Sequence, residues 1–331
     1  MDVKVLHCLI DALKVAGCCV YKDSIPILYN SLIKLQSENH FSSVYLWGRI
    51  ETSTIDYYIA YGHQKDPIEN RIFFYTQNML EWDIMPTDWS TLETVMVRQI
   101  KTKLHGNPRY VETMDNLNDK SQEKQETTEY PIASNVVLKF DDYAEGGEED
   151  ANNAESLTYN DVVSVTAETN EMIEMESAFN EPSNLKLSLK EEDRLAITVQ
   201  MIDNESHIVP RGFFYKLPDG HVTKAPYFNG LDHSEIGNEN NFLHINQQYC
   251  QPKVLNNDVR PDYNGSIDFL QSIDKDIPKG CWASRICSNR YFIIHNLLWP
   301  GAVYVQDMNT GKHGYFYNGY GLKNLDLPFM I

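Results

Sequence analysis

The sequence predicts an α+β protein: an N-terminal helical hairpin, a mainly antiparallel β-sheet system with a few packing helices, and a long acidic insertion. Three observations carry that reading. Apolar residues first recur at helical spacing, then short β-branched and aromatic runs alternate with turn-formers, and the last fifty-five residues hold ten aromatics in strand-like runs.

The first helix is expected over Val3 to Ala16, with Val3, Leu6, Ile10 and Leu13 on one face and Gly17 as its stop. A second follows Asp23 and Ser24. Pro26 sits in its first turn, where a missing N–H costs nothing, and Ile25, Leu28, Leu32 and Leu35 form the buried stripe. The period then changes. Residues 43–50 (SVYLWGRI), 55–61 (IDYYIAY) and 70–77 (NRIFFYTQ) read as three strands of an antiparallel meander, punctuated by Gly62, Asp66, Pro67 and Asn70. A third helix is expected from Pro86, Thr87 and Asp88, carrying Leu92, Met96, Ile100 and Leu104, and ending at Gly106-Asn107-Pro108.

Residues 141–193 hold sixteen carboxylates against Lys186 and Lys190, which is −14 of the chain's net −19. Tyr143, Tyr159 and Phe179 are its aromatics. Such a stretch buries too little apolar surface to offset its ordering entropy, and a disordered insertion is expected. Gly146-Gly147 lacks the ligand spacing of a calcium loop. Order returns at Leu195. The alternation Leu195, Ile197, Val199, Met201 predicts a strand, against a competing helical face of Leu195, Val199 and Ile202. Asp203 to Ser206 then reads as the turn of a hairpin into HIVPRGFFYKL. Short helices are expected at Asp232–Glu235, on a capping-box pattern, and near Ile267–Ile273. In the tail, IPKGCW and LLWPG are expected to build strands, and the final LDLPFMI to lock the sheet or a neighbouring subunit. The division expected is 1–112, a helical and β-meander half; 113–193, the insertion; and 194–331, a β-rich half, the first and last forming one body.

The acidic balance argues against nucleic acid as a partner, since phosphate binding needs a basic patch. No apolar run approaches the roughly 20 residues of a membrane span. Asp11 and Lys14 interrupt the N-terminal apolar stretch, which sets it apart from a signal peptide. Six cysteines without a CxxC pair read as reduced thiols of a cytosolic compartment. No nucleophile elbow, P-loop, dinucleotide fingerprint or HExxH is present. The pattern Asp262, Asn264, Gly265 fails as an EF-hand because Arg260 and Gln271 occupy the anchoring positions. No catalytic, cofactor-binding or metal residue is therefore assigned, and no cofactor is expected. The surplus of Tyr and Trp supports core packing and a protein–protein interface equally. The interface candidates are Trp47, Tyr57, Tyr58, Trp282, Trp299, Tyr315, Tyr317, Phe329, Met330 and Ile331.

Several blocks, in order, carry a family resemblance: Leu46-Trp47-Gly48-Arg49-Ile50, Asp56 to Gly62, Glu81-Trp82, Gly106-Asn107-Pro108, Arg194-Leu195, Val209-Pro210-Arg211-Gly212, Gly230-Leu231 and Asp268-Phe269. The densest lie in the tail: Asp276 to Gly280 with Trp282, Leu297 to Gly301, and Lys323 to Met330. By these the chain resembles the radial spoke head protein 9 family, with an insertion longer than that family's linker. The resemblance implies a non-enzymatic structural subunit of the radial spoke head in the axoneme of motile cilia and flagella, a cytoskeletal location. It implies partners resembling head proteins 4 and 6, an indirect contact with central-pair projections, and a part in regulating dynein-driven bending. The alternative from another class is a carbohydrate-active or lectin-like protein with an aromatic, acidic cleft.

Overall fold

The computed structural model describes residues 1–18, 20, 23–113, 188–245 and 263–330. Met1–Glu112 and Ser188–Ile331 make one compact unit, and Thr113–Leu187 a second. The acidic residues from Asp141 to Glu181 lie outside the described residues, as does Ile331.

The frame of the first unit is an eight-stranded sheet built from two meanders. β1 (Ser43–Ile50), β2 (Tyr57–His63), β3 (Ile72–Thr76) and β4 (Asp83–Ile84) make the first. β11 (Trp282–Cys287), β12 (Tyr291–Asn296), β13 (Ala302–Asp307) and β14 (His313–Gly319) make the second. Their spatial order is β11-β12-β13-β14-β1-β2-β3-β4. Every neighbouring pair in this sheet is antiparallel except β1 with β14, which run parallel with Gly48 opposite Tyr317 and Ile50 opposite Gly319. Short strands complete the set in two-stranded pairs: β5 (Val111–Thr113) with β6 (Ser188–Lys190), β7 (Ile208–Pro210) with β10 (Phe242–His244), and β8 (Phe214–Lys216) with β9 (Val222–Lys224).

The inner meander strands are apolar on successive residues because both faces are covered, while the edge strands β4 and β11 are mostly exposed. On one face lie α1 (Leu6–Val15) and α2 (Ser24–Glu38), whose Leu6, Leu9, Leu13, Leu28 and Leu32 pack on Leu46, Ala60, Ile293, Val305 and Phe316. On the other lies α4 (Glu191–Ser206), whose Leu195, Val199 and Ile202 meet Trp47, Tyr57, Ile59, Trp299 and Tyr317. A further cluster on Phe242, Phe292, Ile294 and Tyr304 extends the covered area under the second meander. Alternation along a strand sends neighbours to opposite faces, so each face needs its own apolar set.

β1 carries a bulge between Leu46 and Gly48, which makes Trp47 the extra residue against β2. The bulge adds local twist and aims the Trp47 indole at α4. It also fixes the next residue. A Cβ at position 48 would stand 2.4 Å from the Tyr317 carbonyl oxygen, so only glycine lets the two parallel strands close. Before Gly48 the strands diverge, and Met1 fills the gap: its nitrogen donates to the carbonyls of Leu46, at 2.8 Å, and Tyr315, at 3.0 Å, while Leu46 N–H donates to its carbonyl at 2.9 Å.

Several expectations need correction. Residues 195–206 are helical, because the 3.6-residue stripe of Leu195, Val199 and Ile202 meets a sheet face and three acids fill the first turn. That helix also claims Glu191, Glu192 and Asp193 from the stretch read as insertion. α3 spans Thr91–Gln99, later than expected, since Ser90 and Glu93 form a reciprocal capping box there; Ile100 is already extended. LLWPG is the turn between β12 and β13 rather than a strand, and IPKG precedes β11, which starts at Trp282. Near Ile267–Ile273 only a 3-10 turn, Ile273–Lys275, forms, and Asp232 opens a single turn closed by Ile236 N–H at 2.9 Å.

The β1–β14 junction makes a sharp test. Gly48→Ala must push the two strands apart or tilt β1, and is expected to cost about 1–3 kcal/mol, the range for overpacking a filled core. Urea unfolding followed by tryptophan fluorescence measures it; a midpoint equal to the parent's contradicts the close approach.

Candidate interaction surface

Two buried carboxylates hold α4 in place, one at each end. Asp203 is fully buried against the sheet. It accepts from Trp47 Nε1 at 2.9 Å, lies 2.7 Å from His207 Nδ1, and pairs with Arg71 at 2.7 Å. Arg71 also lies over the rings of Tyr61 and Phe73 at 5.5 and 5.7 Å. Burial would push the Asp203 carboxyl up, but Arg71 and His207 outweigh it and hold it at about 2. The same burial holds His207 below the usual imidazole range, against the pull of Asp203.

At the other end Glu191 opens the helix. Its carboxylate accepts from three successive backbone N–H groups, His105 at 2.7 Å, Gly106 at 2.6 Å and Asn107 at 2.9 Å, and from Tyr57 Oη at 2.8 Å. Gly106 takes φ +95°, and a Cβ there would meet Thr52 Oγ1 at 2.5 Å, so this turn wraps the carboxylate only with glycine. Glu192 accepts from Tyr75 Oη at 2.9 Å. Arg194, two residues on, pairs with Glu112 at 2.7 Å and donates to the Thr102 carbonyl.

Between α3, α4 and the tail runs a groove of about 550 Å3. Arg194, Thr198, Met201 and Glu205 form one stripe of α4 along it, Trp299 is a buried wall, and Gly321 to Asp326 close the third side. Glu205 is already engaged: Trp299 Nε1 donates to it at 2.8 Å and Lys323 pairs with it at 2.7 Å. A glycosidase cleft needs two free carboxylates facing each other, and this groove offers only Asp326 besides the committed Glu205. No group of three or more His, Cys, Asp or Glu that could hold a metal occurs among the described residues, and no helix there is long and apolar enough to cross a membrane.

The sequence-derived interface candidates divide sharply. Trp47, Tyr57, Tyr58, Trp282, Trp299, Tyr315 and Tyr317 are all buried within the chain. Trp47 and Tyr317 lie 5.2 Å apart, ring to ring, and Tyr315 Oη bonds Ser206 Oγ at 2.8 Å. Trp282 Nε1 donates to Asp276 at 2.7 Å. Their polar tips are satisfied internally, so these aromatics build the core and offer a partner no face. Phe329 and Met330 are the opposite, 90% and 72% exposed, while Leu327 between the tail and the third core cluster is buried. Leu327 locks the tail down, and Pro328, Phe329 and Met330 after it stand exposed. Sequence reasoning missed Asp203, Glu191, Arg71 and the groove's Arg98 and Lys101. The only signal for Glu191 was the acidic triplet ahead of an apolar 3.6-residue stripe, which marks a helix start.

No family model matches the chain. Comparison with curated proteins finds similarity along its whole length to a class of proteins named for the radial spoke head. The particular relatives are radial spoke head protein 9 homologs: that of Bos taurus is 28% identical over 335 residues, that of Homo sapiens 28% over 338, and that of Danio rerio 27% over 335, each alignment covering 100% of both chains. The chain thus resembles the family that its sequence blocks point to, from end to end. Several of those blocks fall on the tightest places in the fold: the Gly48 approach, the Gly106 turn around Glu191, and the Trp299 turn.

Two stability effects follow. Asp203→Asn leaves Arg71 buried without its counter-charge and is expected to cost about 3 kcal/mol or more in urea unfolding; a loss under 1 kcal/mol contradicts the clamp. His313 is packed between Phe213, Phe228 and Tyr304, and burial lowers it from 6.5 to about 4, against the Gly311 carbonyl. An imidazole lowered on folding binds its proton first in the unfolded chain. Stability therefore falls as pH drops from 6.5 towards 4, and His313→Gln should flatten the urea midpoint across that window. An unchanged slope in the variant rules this source out.

Proposed function

We infer that the chain is a structural, non-catalytic subunit of the radial spoke head in the axoneme of motile cilia or flagella. The observation that carries this reading is the similarity to radial spoke head protein 9 homologs over all of both chains. The fold is in keeping with it: a two-faced sheet whose aromatics and buried charges are spent on rigidity, with a groove and an exposed apolar tail left outside. In this role the chain packs on other head subunits of the kind represented by head proteins 4 and 6. It helps present the face that meets central-pair projections, and so takes part in the mechanical control of dynein-driven bending.

Phe329 and Met330 are the proposed anchor to a neighbouring head subunit, because exposed apolar side chains held next to a pinned residue offer contact area at little ordering cost. Quantitative mass spectrometry of axonemes from cells lacking the gene should show loss of head subunits along with impaired beating. Intact heads with normal beating sink the reading. Restoring the gene with Phe329→Ala and Met330→Ala is expected to give a stable protein that enters heads several-fold less well; wild-type incorporation removes the tail as an anchor.

A further inference from the structure

The groove between α3, α4 and the tail carries an electrostatic anomaly. The chain holds 47 carboxylates against 28 lysines and arginines, yet Arg98 and Lys101 stand exposed on this rim, and no carboxylate among the described residues pairs with either. The remaining charges lining the groove are settled: Arg194 on Glu112, Lys323 on Glu205. Only Asp326 contributes an exposed opposing charge. Beneath the cations the wall is apolar, with Met201, Trp299, Leu322 and Leu325. At about 550 Å3 the space falls among binding clefts, which span about 300–1,000 Å3.

We propose that this groove is a docking site for an acidic peptide segment of a partner subunit, anchored by one or two large apolar side chains. Carboxylates of the segment meet Arg98 and Lys101, and the apolar anchor lies over Trp299 and against Met201 and Leu325. Charge complementarity selects the occupant. A second copy of this chain would bring more net negative charge than any short segment, which helps at the cationic rim and repels everywhere else. The two rim cations also set how the complex forms: opposite charges raise the encounter rate and are screened beyond about 8 Å at physiological salt, so binding must weaken as salt rises. Snug apolar contact below the rim sets how long the segment stays.

The inference rests on the scaffold reading for the existence of a partner segment, but the two fail separately. Heads lost on deletion of the gene, without peptide binding in solution, sink this proposal alone. Peptide binding with intact heads sinks the scaffold reading alone.

The test uses the full chain and a fluorescein-labelled octapeptide of glutamate with one leucine and one phenylalanine, read by fluorescence anisotropy. A peptide with lysine at each glutamate serves as control. Saturable binding of the acidic peptide is expected, weaker as salt is raised and absent for the control. Arg98→Glu with Lys101→Glu should weaken it about tenfold or more, consistent with loss of close charge pairs. Leu325→Asp should also weaken it. All three positions are exposed, so the urea midpoint of each variant should match the parent's, which keeps a folding defect apart from a binding defect. Equal binding of the lysine peptide, or unchanged binding by the charge-reversed variant, overturns the proposal. So does sedimentation showing self-association that the charge reversal abolishes, because the occupant is then a second copy.

Discussion

The parallel contact between β1 and β14 is the constraint on which everything else in the fold depends. Each meander alone is a four-stranded antiparallel sheet with an open edge, and an open edge either finds a partner or invites aggregation. Joining the two edges closes both and makes one sheet wide enough to need a helical layer on each face. The junction works only with specific residues. Gly48 lets the backbones meet, Met1 bridges the carbonyls of Leu46 and Tyr315 where they part, and the Trp47 bulge turns an indole towards α4.

That indole leads to the second constraint. Asp203 is a charge with no access to water, which is costly unless every lone pair finds a partner. Its partners are Trp47 of β1, Arg71 just ahead of β3 and His207 just after α4, so satisfying the carboxylate ties the C-terminal end of the helix to both the first strand and the entry to the third. Glu191 does the same at the other end, gripping the 105–107 turn. Between them the two carboxylates span α4. Residues 112 and 188, the two ends from which residues 113–187 depart, are held together by the pairing of β5 with β6 and by Arg194, which ties Glu112 to the helix start. Loop-closure entropy grows only slowly with length, so two such anchors tolerate an insertion of this size.

Much of this architecture was legible in the residues. The α1–α2 hairpin followed from its leucine stripes, and β1 to β3 from their β-branched and aromatic runs, because local period and burial agree there. The reading failed where tertiary structure decides between two periods. The alternation of residues 195–201 favours a strand in isolation, with the helical face of Leu195, Val199 and Ile202 as its competitor; a sheet face waiting to be covered selects the helix. It failed again where one composition hides two roles. Glu191 to Asp193 look like the end of an acidic run, yet Glu191 is a buried anchor whose partners lie in the 105–107 turn and on Tyr57, far away in sequence. The aromatic surplus is plain in the sequence, but alternation cannot say which ring meets the core and which meets solvent. Seven of the ten candidates turned inward: Trp47, Tyr57, Tyr58, Tyr315 and Tyr317 on inner strands covered on both faces, Trp282 at the buried start of the edge strand β11, and Trp299 in a turn packed on α4. The groove left no trace in local sequence, since its walls come from three separated stretches.

What results is one sheet covered on both faces, with a groove and the exposed Phe329 and Met330 among the features that face outwards. Its central requirement is that the N- and C-terminal meanders act as one cooperative sheet. Native-state hydrogen exchange measures this directly by comparing amides of β2 with those of β13. If β1–β14 pairing unites the sheet, the two sets open with the same free energy, equal to that of global unfolding, and respond together to denaturant. If β2 amides exchange through an opening several kcal/mol cheaper than those of β13, the meanders are separate folding units and the account fails.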